Sequence, residues 1–201
     1  MNDERIRAFI AVPVPVVLHE RLAGEQDRLR PLLPKASWAR PAGIHLTLHF
    51  LGDVSPGLAR RLGDELAAAC APLPRFAIDV GGFGLFPNAT RPRVLWAGLS
   101  ASESLAAVHR ACRRVLTRRK LRVDRRPWHP HLTLARFRQR PTPDGIAALE
   151  AVAAEPSTRL GTLPVDEVNL YRSVLDPGGA RHHVLARAPL ADHLASPART
   201  L

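Results

Sequence analysis

Cysteine is almost absent from this chain of 201 residues: Cys70 and Cys112 are the only two. Each lies in an Ala/Leu/Arg helical pattern, which argues against a disulfide framework and for reduced core or near-core thiols in a cytoplasmic protein. Long apolar runs are missing as well. The longest mostly apolar stretch, Phe9 to Leu18, is about half of the roughly 20 residues a membrane helix needs, and prolines interrupt it. The opening MNDERIRAFIAV has no basic region leading into an apolar run and a small-residue cleavage site, so no signal peptide is expected. Acidic residues are few, 18 against 29 basic ones, for a formal net charge of +11. Lysine is scarcer still, only Lys35 and Lys120. The positive charge is therefore carried by arginine, whose planar fork matches phosphate geometry. With 46% hydrophobic and 23% charged residues, low-hydrophobicity disorder is excluded for most of the chain. The length fits one domain, or one domain of two similar halves.

The basic residues are not spread evenly. Arg110, Arg113, Arg114, Arg118, Arg119, Lys120, Arg122, Arg125 and Arg126 crowd a stretch whose one acid is Asp124. Such a surface attracts polyanions. Two readings stand: a solvated helix face with its following loop, or an RNA-backbone track next to an active site.

Periodicity divides the chain into alternating elements. Arg5 to Val12 alternates as a strand, with Ile6, Ala8, Ile10 and Val12 on one face. Pro13 and Pro15 end it, and Val16 to Arg30 is helical until Pro31. Ile44 to Leu51 is a second strand, closed by Gly52-Asp53. A helix follows from Ser55, as N-cap, to Cys70, with Pro56 at its first position. Phe76 to Phe86 and Pro92 to Leu99 read as strands, Ser102 to Arg119 as a helix, His131 to Phe137 as a strand and Asp144 to Ala154 as a short helix. Leu163 to Leu175 and His182 to Ala188 form a last strand pair around Asp176-Pro177-Gly178-Gly179. This order predicts an α+β fold with mainly antiparallel sheets. Residues 1–190 are expected to form one domain and 191–201 a flexible tail.

One long-range repeat carries chemistry. Ile44-His45-Leu46-Thr47-Leu48-His49-Phe50 recurs as Pro130-His131-Leu132-Thr133-Leu134-Ala135-Arg136, preceded each time by an irregular stretch with Trp and Pro (Trp38 and Pro41; Trp128 and Pro130). A single His-x-Thr is common in structural strands, whereas two copies with identical leucines are a far sharper signal. Side chains alternate along a strand, so His45 and Thr47 share a face about 7 Å apart, as do His131 and Thr133. The leucines point the other way, into a core. Halves packed about a pseudo-twofold axis bring four polar side chains to one small site. Imidazole titrates near neutrality, so one ring can serve as base and the other as acid. Threonine hydroxyls can donate to non-bridging phosphate oxygens without adding charge.

These paired motifs resemble those of the two-histidine phosphoesterases, specifically the bacterial and archaeal RNA 2',3'-cyclic phosphodiesterases once called 2'-5' RNA ligases, the LigT-like group. The resemblance extends through Arg7 to Val12, Trp38 to Gly52, Phe83 to Gly98 with Phe86-Pro87, Pro130 to Arg136, and Val168 to Leu175, over nearly all of residues 5–190. It implies two pseudo-symmetric lobes of mainly antiparallel sheet with outer helices and a cleft between them. It implies metal-free hydrolysis of a terminal 2',3'-cyclic phosphate on RNA to a 2'-phosphate, with weak reverse 2'-5' ligation and no cofactor. By motif position His45 is then the proton donor to the leaving 3' oxygen and His131 the proton acceptor from water. Thr47 and Thr133 hold the phosphate, and Arg136 neutralises it. Phe50 matches the first motif's aromatic and faces the nucleotide or packs.

Some positions sit awkwardly on a straight strand. Arg136 has the wrong parity relative to His131, so the strand must bulge, twist or end for it to reach the site. His49 has the right parity relative to His45 and is expected to line the cleft as a substrate contact. His129 is expected at the rim. No histidine spacing resembles a zinc site: His45 and His49 in a strand are about 13 Å apart. His182 and His183 are expected to be solvent-exposed. Trp38, Trp96 and Trp128 are expected to pack in core or hinge, with Trp128 the best candidate for stacking a base. Two alternatives to RNA-end hydrolysis stay open at this level. One keeps the site and takes a small cyclic nucleotide or ADP-ribose cyclic phosphate; the other is a non-catalytic RNA-binding module. The expected partner is RNA with cyclic-phosphate ends, with no membrane, and one chain suffices for the site, so a monomer is expected.

Overall fold

Strand β1 (Ile6–Pro13) shows how the sheet is built. Its alternate residues Ile6, Ala8, Ile10 and Val12 belong to the main hydrophobic core, as their spacing predicts. Phe9 and Ala11, on the other face, are buried too. The strand is covered on both sides, by core behind and by a cleft in front. This computed structural model describes residues 5–124, 126–155, 159–176 and 179–192.

Helix α1 (Val16–Leu29) starts after Pro15, and its chain turns through a short 3-10 segment containing Pro31. Strand β2 (Ser37–Trp38) is a two-residue addition before β3 (His45–Val54). Helix α2 (Pro56–Cys70) is capped by Ser55, whose hydroxyl accepts from the Leu58 amide at 3.3 Å. Then come β4 (Phe76–Phe86), β5 (Val94–Leu99) and α3 (Glu103–Arg118), which Ser102 caps in the same way. Strand β6 (His131–Arg136) leads to α4 (Pro143–Ala154), capped by Thr142. Each such cap stabilises its helix by about 1 kcal/mol. Strands β7 (Arg159–Val165), β8 (Glu167–Asp176) and β9 (Gly179–Pro189) close the fold.

Eight strands run in the order β7-β4-β5-β6-β3-β1-β8-β9, with β2 paired to β6. Neighbours in this order are antiparallel. The order is symmetric about the β6/β3 boundary, so that β3 corresponds to β6, β1 to β5, β8 to β4 and β9 to β7. The expected two-lobed α+β fold is therefore two halves of one continuous sheet. At the boundary one pair of residues is matched, Leu46 with Leu132. Each is the residue after its motif histidine, which places the pseudo-twofold between them. Helices α2 and α3 pack on the first lobe, against β9 and β3, while α1 and α4 pack on the second, against β7 and β4. The helices that follow the counterpart strands β1 and β5, α1 and α3, thus each cross to the other lobe and tie the two together.

Two boundaries differ from the sequence pattern. The stretch Leu163 to Leu175 is not one strand. It divides at Asp166 into β7, paired with β4, and β8, paired with β1, so the chain changes lobes there. Buried Leu163 and Val165 alternate before the break and buried Val168 and Leu170 after it, and the only mark of the break is a one-residue change of parity across Asp166. Gly52-Asp53 does not close β3 either. Gly52, at φ 70°, sits beside a bulge at Leu51, and pairing resumes from Gly52 with Ala8 to Val54 with Ile6. At the C-terminal end Ala191 bridges Pro74, and Asp192 pairs with Arg75 at 2.6 Å. The tail expected beyond them, residues 193–201, lies outside the described residues, as do Pro177 and Gly178 of the last turn.

Candidate active site

The Leu46–Leu132 pair sets the geometry of everything in front of it. Both leucines are fully buried in the core. Their neighbours therefore face the cleft: His45 lies opposite Thr133, and Thr47 opposite His131. Residues directly opposite in an antiparallel pair have Cβ atoms about 5 Å apart, and diagonal ones about 7–8 Å. The two imidazoles occupy opposite corners of a small rectangle, with the two threonines at the others. A tetrahedral anion between them can be touched from four sides.

Each ring is aimed by the backbone just before it. His45 Nδ1 lies 2.8 Å from the Gly43 carbonyl, and His131 Nδ1 lies 2.7 Å from the His129 carbonyl. A carbonyl only accepts, so both Nδ1 atoms carry the proton and both Nε2 atoms carry the free lone pair in the neutral rings. The irregular, proline-bearing stretches before the motifs acquire a purpose here. The 3-10 turn Pro41–Gly43 presents the Gly43 carbonyl, and His19 of α1 holds the next one, Ile44, with its Nε2 at 3.0 Å.

Both strands bulge after the threonine. Between β1 and β3 the register steps from Ala11–Thr47 to Ile10–His49, leaving Leu48 unmatched. Between β5 and β6 it steps from Trp96–Thr133 to Leu95–Ala135, leaving Leu134 unmatched. A bulge inverts the alternation beyond it. Arg136 thereby comes to the cleft side, where its charge bears on both His45 and His131. Phe50, the matching residue of the first half, is 66% exposed with its ring 6.2 Å from Phe9. The same inversion corrects the expectation for His49. It does not line the cleft but turns to the back of the sheet, buried, with Nε2 donating to the His109 carbonyl at 3.1 Å. Its ring stacks on His109 at 4.3 Å, and His109 stacks on Trp128 at 4.2 Å. Trp128 donates Nε1–H to the Thr47 carbonyl at 3.1 Å, so it is a strut behind the motif rather than a platform for a base.

Aromatic walls support the two catalytic candidates differently. His45 stacks on Phe9 at 4.6 Å, with Tyr171 beyond, 5.1 Å from Phe9. His182 of β9 stands edge-on to His45, centroids 5.0 Å apart. Far from being a solvent-exposed hairpin residue, His182 is half-buried within the site, because its register partner Ser173 lies two residues from Tyr171 on the cleft face of β8. His183 is exposed as expected. His131 meets the edge of Phe86 at 4.9 Å, and Trp96 lies 6.2 Å away. The Trp96 indole crosses Gly84, where an added Cβ would fall 2.1 Å from the ring. His129 packs between Phe86 and Trp96.

Sequence reasoning passed over Gln26. It is 1% exposed on α1, and its Nε2 donates to the carbonyls of Ala39 and Leu134, both at 2.9 Å. It therefore holds the β6 bulge that delivers Arg136. Its signal was a polar residue on the apolar stripe of Leu18, Leu22 and Leu29.

Electrostatics favour neutral rings in the unliganded site. Burial pushes His45 down to about 4, against the Gly43 hydrogen bond, with further lowering from His182, Arg136 and His131. Burial also lowers His131, aided by His129 and Arg136. A phosphate anion seated between the rings acts in the opposite sense and favours their protonation.

Among the described residues no three His, Cys, Asp or Glu side chains gather where they could hold one metal ion. A cavity of about 340 Å³ lined by Pro15, Leu18, Arg21, Arg159 and Thr162 contains none of the motif residues. The helical part of the basic stretch lies behind the sheet. Helix α3 lies on the back of β3, where His109 meets His49 and where Arg113 and Arg110 exert their charge. Within the stretch, Arg110 pairs with Glu103, Arg119 with Glu65 and Arg126 with Asp124, while Arg125 lies outside the described residues.

A profile described as the 2'-5' RNA ligase superfamily matches residues 18–177. An RNA 2',3'-cyclic phosphodiesterase of Methanothermobacter thermautotrophicus is 30% identical over 175 residues, covering 87% of this chain and 94% of the relative. One of Aeropyrum pernix is 32% identical over 167 residues, covering 82% and 92%. Among solved structures, E. coli LigT complexed with 3'-AMP superposes with a TM-score of 0.76 at 25% identity, covering 93% of this chain and 99% of that one. TT0787 of Thermus thermophilus gives 0.73 at 28% identity, covering 92% and 98%.

Proposed function

The chain belongs to the 2'-5' RNA ligase superfamily, and from that premise we propose that it hydrolyses the 2',3'-cyclic phosphate at an RNA end to a 2'-phosphate. His131 Nε2 takes a proton from a water, whose oxygen attacks phosphorus in line with the bond to O3'. That bond breaks, and His45 Nε2 delivers its proton to O3'. The products are a 2'-phosphomonoester and a free 3'-hydroxyl. Thr47 and Thr133 donate to non-bridging oxygens, and Arg136 balances the charge that grows on them. Each placed acid or base contributes on the order of 10²- to 10⁴-fold in rate. His45 is neutral in the empty site, so it receives its proton as the anion binds. Water at bulk concentration favours hydrolysis; 2'-5' joining is the same displacement with an RNA 5'-hydroxyl in place of water, and a minor activity.

The observation that carries this reading is the single β3/β6 pair, Leu46 with Leu132, which sets two Nδ1-anchored imidazoles at diagonal corners of one cleft. All participating groups come from one chain, which supports a monomer as the working unit. The buried free thiols of Cys70 and Cys112 fit a reducing compartment such as the cytoplasm. The test is an oligonucleotide ending in a 2',3'-cyclic phosphate, incubated with excess EDTA, with the product's phosphate position determined. A 2'-phosphate is expected. A 3'-phosphate overturns the acid and base assignment, and no product overturns the activity.

A further inference from the structure

We propose that His182 is a substrate-contacting residue of the first lobe, a neutral Nε2–H donor to an oxygen of the terminal nucleoside on the leaving-group side. The proposal rests on the reaction assigned above for its direction. In an in-line displacement the water and the leaving oxygen lie on opposite sides of phosphorus. The water belongs to His131, so the ribose that carries O3' extends toward His45.

His182 stands where that ribose extends. Its ring is edge-on to His45 at 5.0 Å and to Phe9 at 4.9 Å, and it lies 6.5 Å from Tyr171. These contacts clamp the imidazole on the cleft face rather than in the core. Its Nδ1 is shielded from solvent and has no hydrogen-bond partner among the described residues. A buried lone pair is tolerated more easily than a buried N–H with nothing to receive it. The hydrogen therefore sits on Nε2, at the other edge of a half-buried ring. Burial and the neighbouring His183 both disfavour the charged form. His182 is thus a donor that brings no charge. An arginine in the same place would oppose the protonation of His45 that the reaction requires, as Arg136 already does from the second lobe.

The second lobe offers charge to the phosphate, and the first offers stacked rings and a neutral donor to the nucleoside. His182→Phe keeps a flat ring against Phe9 and His45 but removes the nitrogen, and His182→Gln restores an N–H. The expected result is a KM for adenosine 2',3'-cyclic phosphate raised about tenfold in His182→Phe, with kcat within about twofold. Calorimetric affinity for adenosine 2'-phosphate should fall equally, affinity for inorganic phosphate should hold, and His182→Gln should recover most of the loss. Unchanged KM and affinity in His182→Phe overturn the proposal. So does a loss confined to kcat, or one that extends equally to inorganic phosphate, since either means that the ring acts through His45. Failure of the wild type to turn over any cyclic phosphate strikes the assigned reaction instead; the adenosine 2'-phosphate titration still judges His182 by itself.

Discussion

His45 and His131 share an anchor: each gives its Nδ1–H to the carbonyl two residues earlier, and each strand bulges one residue beyond its threonine. Beyond that the halves part. The residue that the bulge delivers to the cleft is Phe50 in the first lobe and Arg136 in the second. The residue sent to the back is His49, which joins a stack with His109 and Trp128, or Ala135, which is simply buried. Two copies of one backbone arrangement thus present two similarly anchored imidazoles to one cleft, while the side chains around them differ. A symmetric site has no preference for which oxygen leaves. Here Arg136 on one side and the rings of Phe9, Phe50 and Tyr171 on the other make the two sides unlike, and the proposed reaction uses that difference to orient its substrate.

The comparison breaks most visibly at the histidines. His45→Ala and His131→Ala are each expected to lower kcat on a cyclic-phosphate oligonucleotide by about 10²- to 10⁴-fold, with affinity for RNA largely kept. The double variant should lose little more, because the pair acts as one unit. Their pH profiles should differ. Without the base at 131 the acidic limb disappears, and without the acid at 45 the alkaline limb disappears. If the limbs vanish the other way round, the two lobes exchange roles. Equal loss of RNA binding and turnover in both variants would point to a binding module instead.

The next largest effect concerns the residues that the bulges deliver. Arg136→Ala is expected to lower kcat/KM by about 10²-fold, the scale for one group that stabilises developing charge. Phe50→Ala is expected to raise KM about tenfold, the scale of a lost base-stacking contact, with kcat nearly unchanged. Steady-state kinetics on adenosine 2',3'-cyclic phosphate separate the two. Equal losses in the same parameter would remove the division of labour between lobes.

These contrasts also mark how far the sequence could be read. Strand alternation and the duplicated His-Leu-Thr-Leu sufficed for the rectangle, since both are local patterns. The serine and threonine caps were equally local, and Ser55 is where the pattern places it. The fate of His49 and Arg136 was not local. A bulge is a mismatch between partners, and the partners of β3 and β6 are β1 and β5, far away in sequence. Parity showed that Arg136 needed a bulge, but nothing in one strand revealed that His49 would be carried off by a matching one. His182 was missed for a related reason: its setting depends on β8 lying against β1, which brings Tyr171 and Phe9 together. The break at Asp166, where consecutive apolar alternations serve opposite lobes, is of the same kind.

The smallest expected effect lies in acid, and it is also uneven. Burial leads the lowering of four histidines of the first lobe and its helices: His45 and His109, each to about 4, and also His49 and His182. In the second lobe the same holds for His131. An unfolded imidazole takes up its proton near 6.5, whereas these folded ones resist it. Their depressed folded values mean that the unfolded chain binds more protons as pH falls. The stability they confer is complete above about pH 6.5 and is lost as pH drops toward 4. Between pH 6.5 and 5 few carboxylates titrate, so histidines dominate that window. Hydrogen exchange measured at pH 7 and pH 5 is expected to lose protection earlier in β1, β3 and α3 than in β5 and β6. His109→Phe keeps a ring between His49 and Trp128 without a titrating nitrogen, and should flatten the pH dependence of the first lobe alone. Loss of protection at the same pH throughout the sheet, unchanged by that substitution, would mean that the lobes unfold as one unit and that the acid response does not originate in the histidine stack.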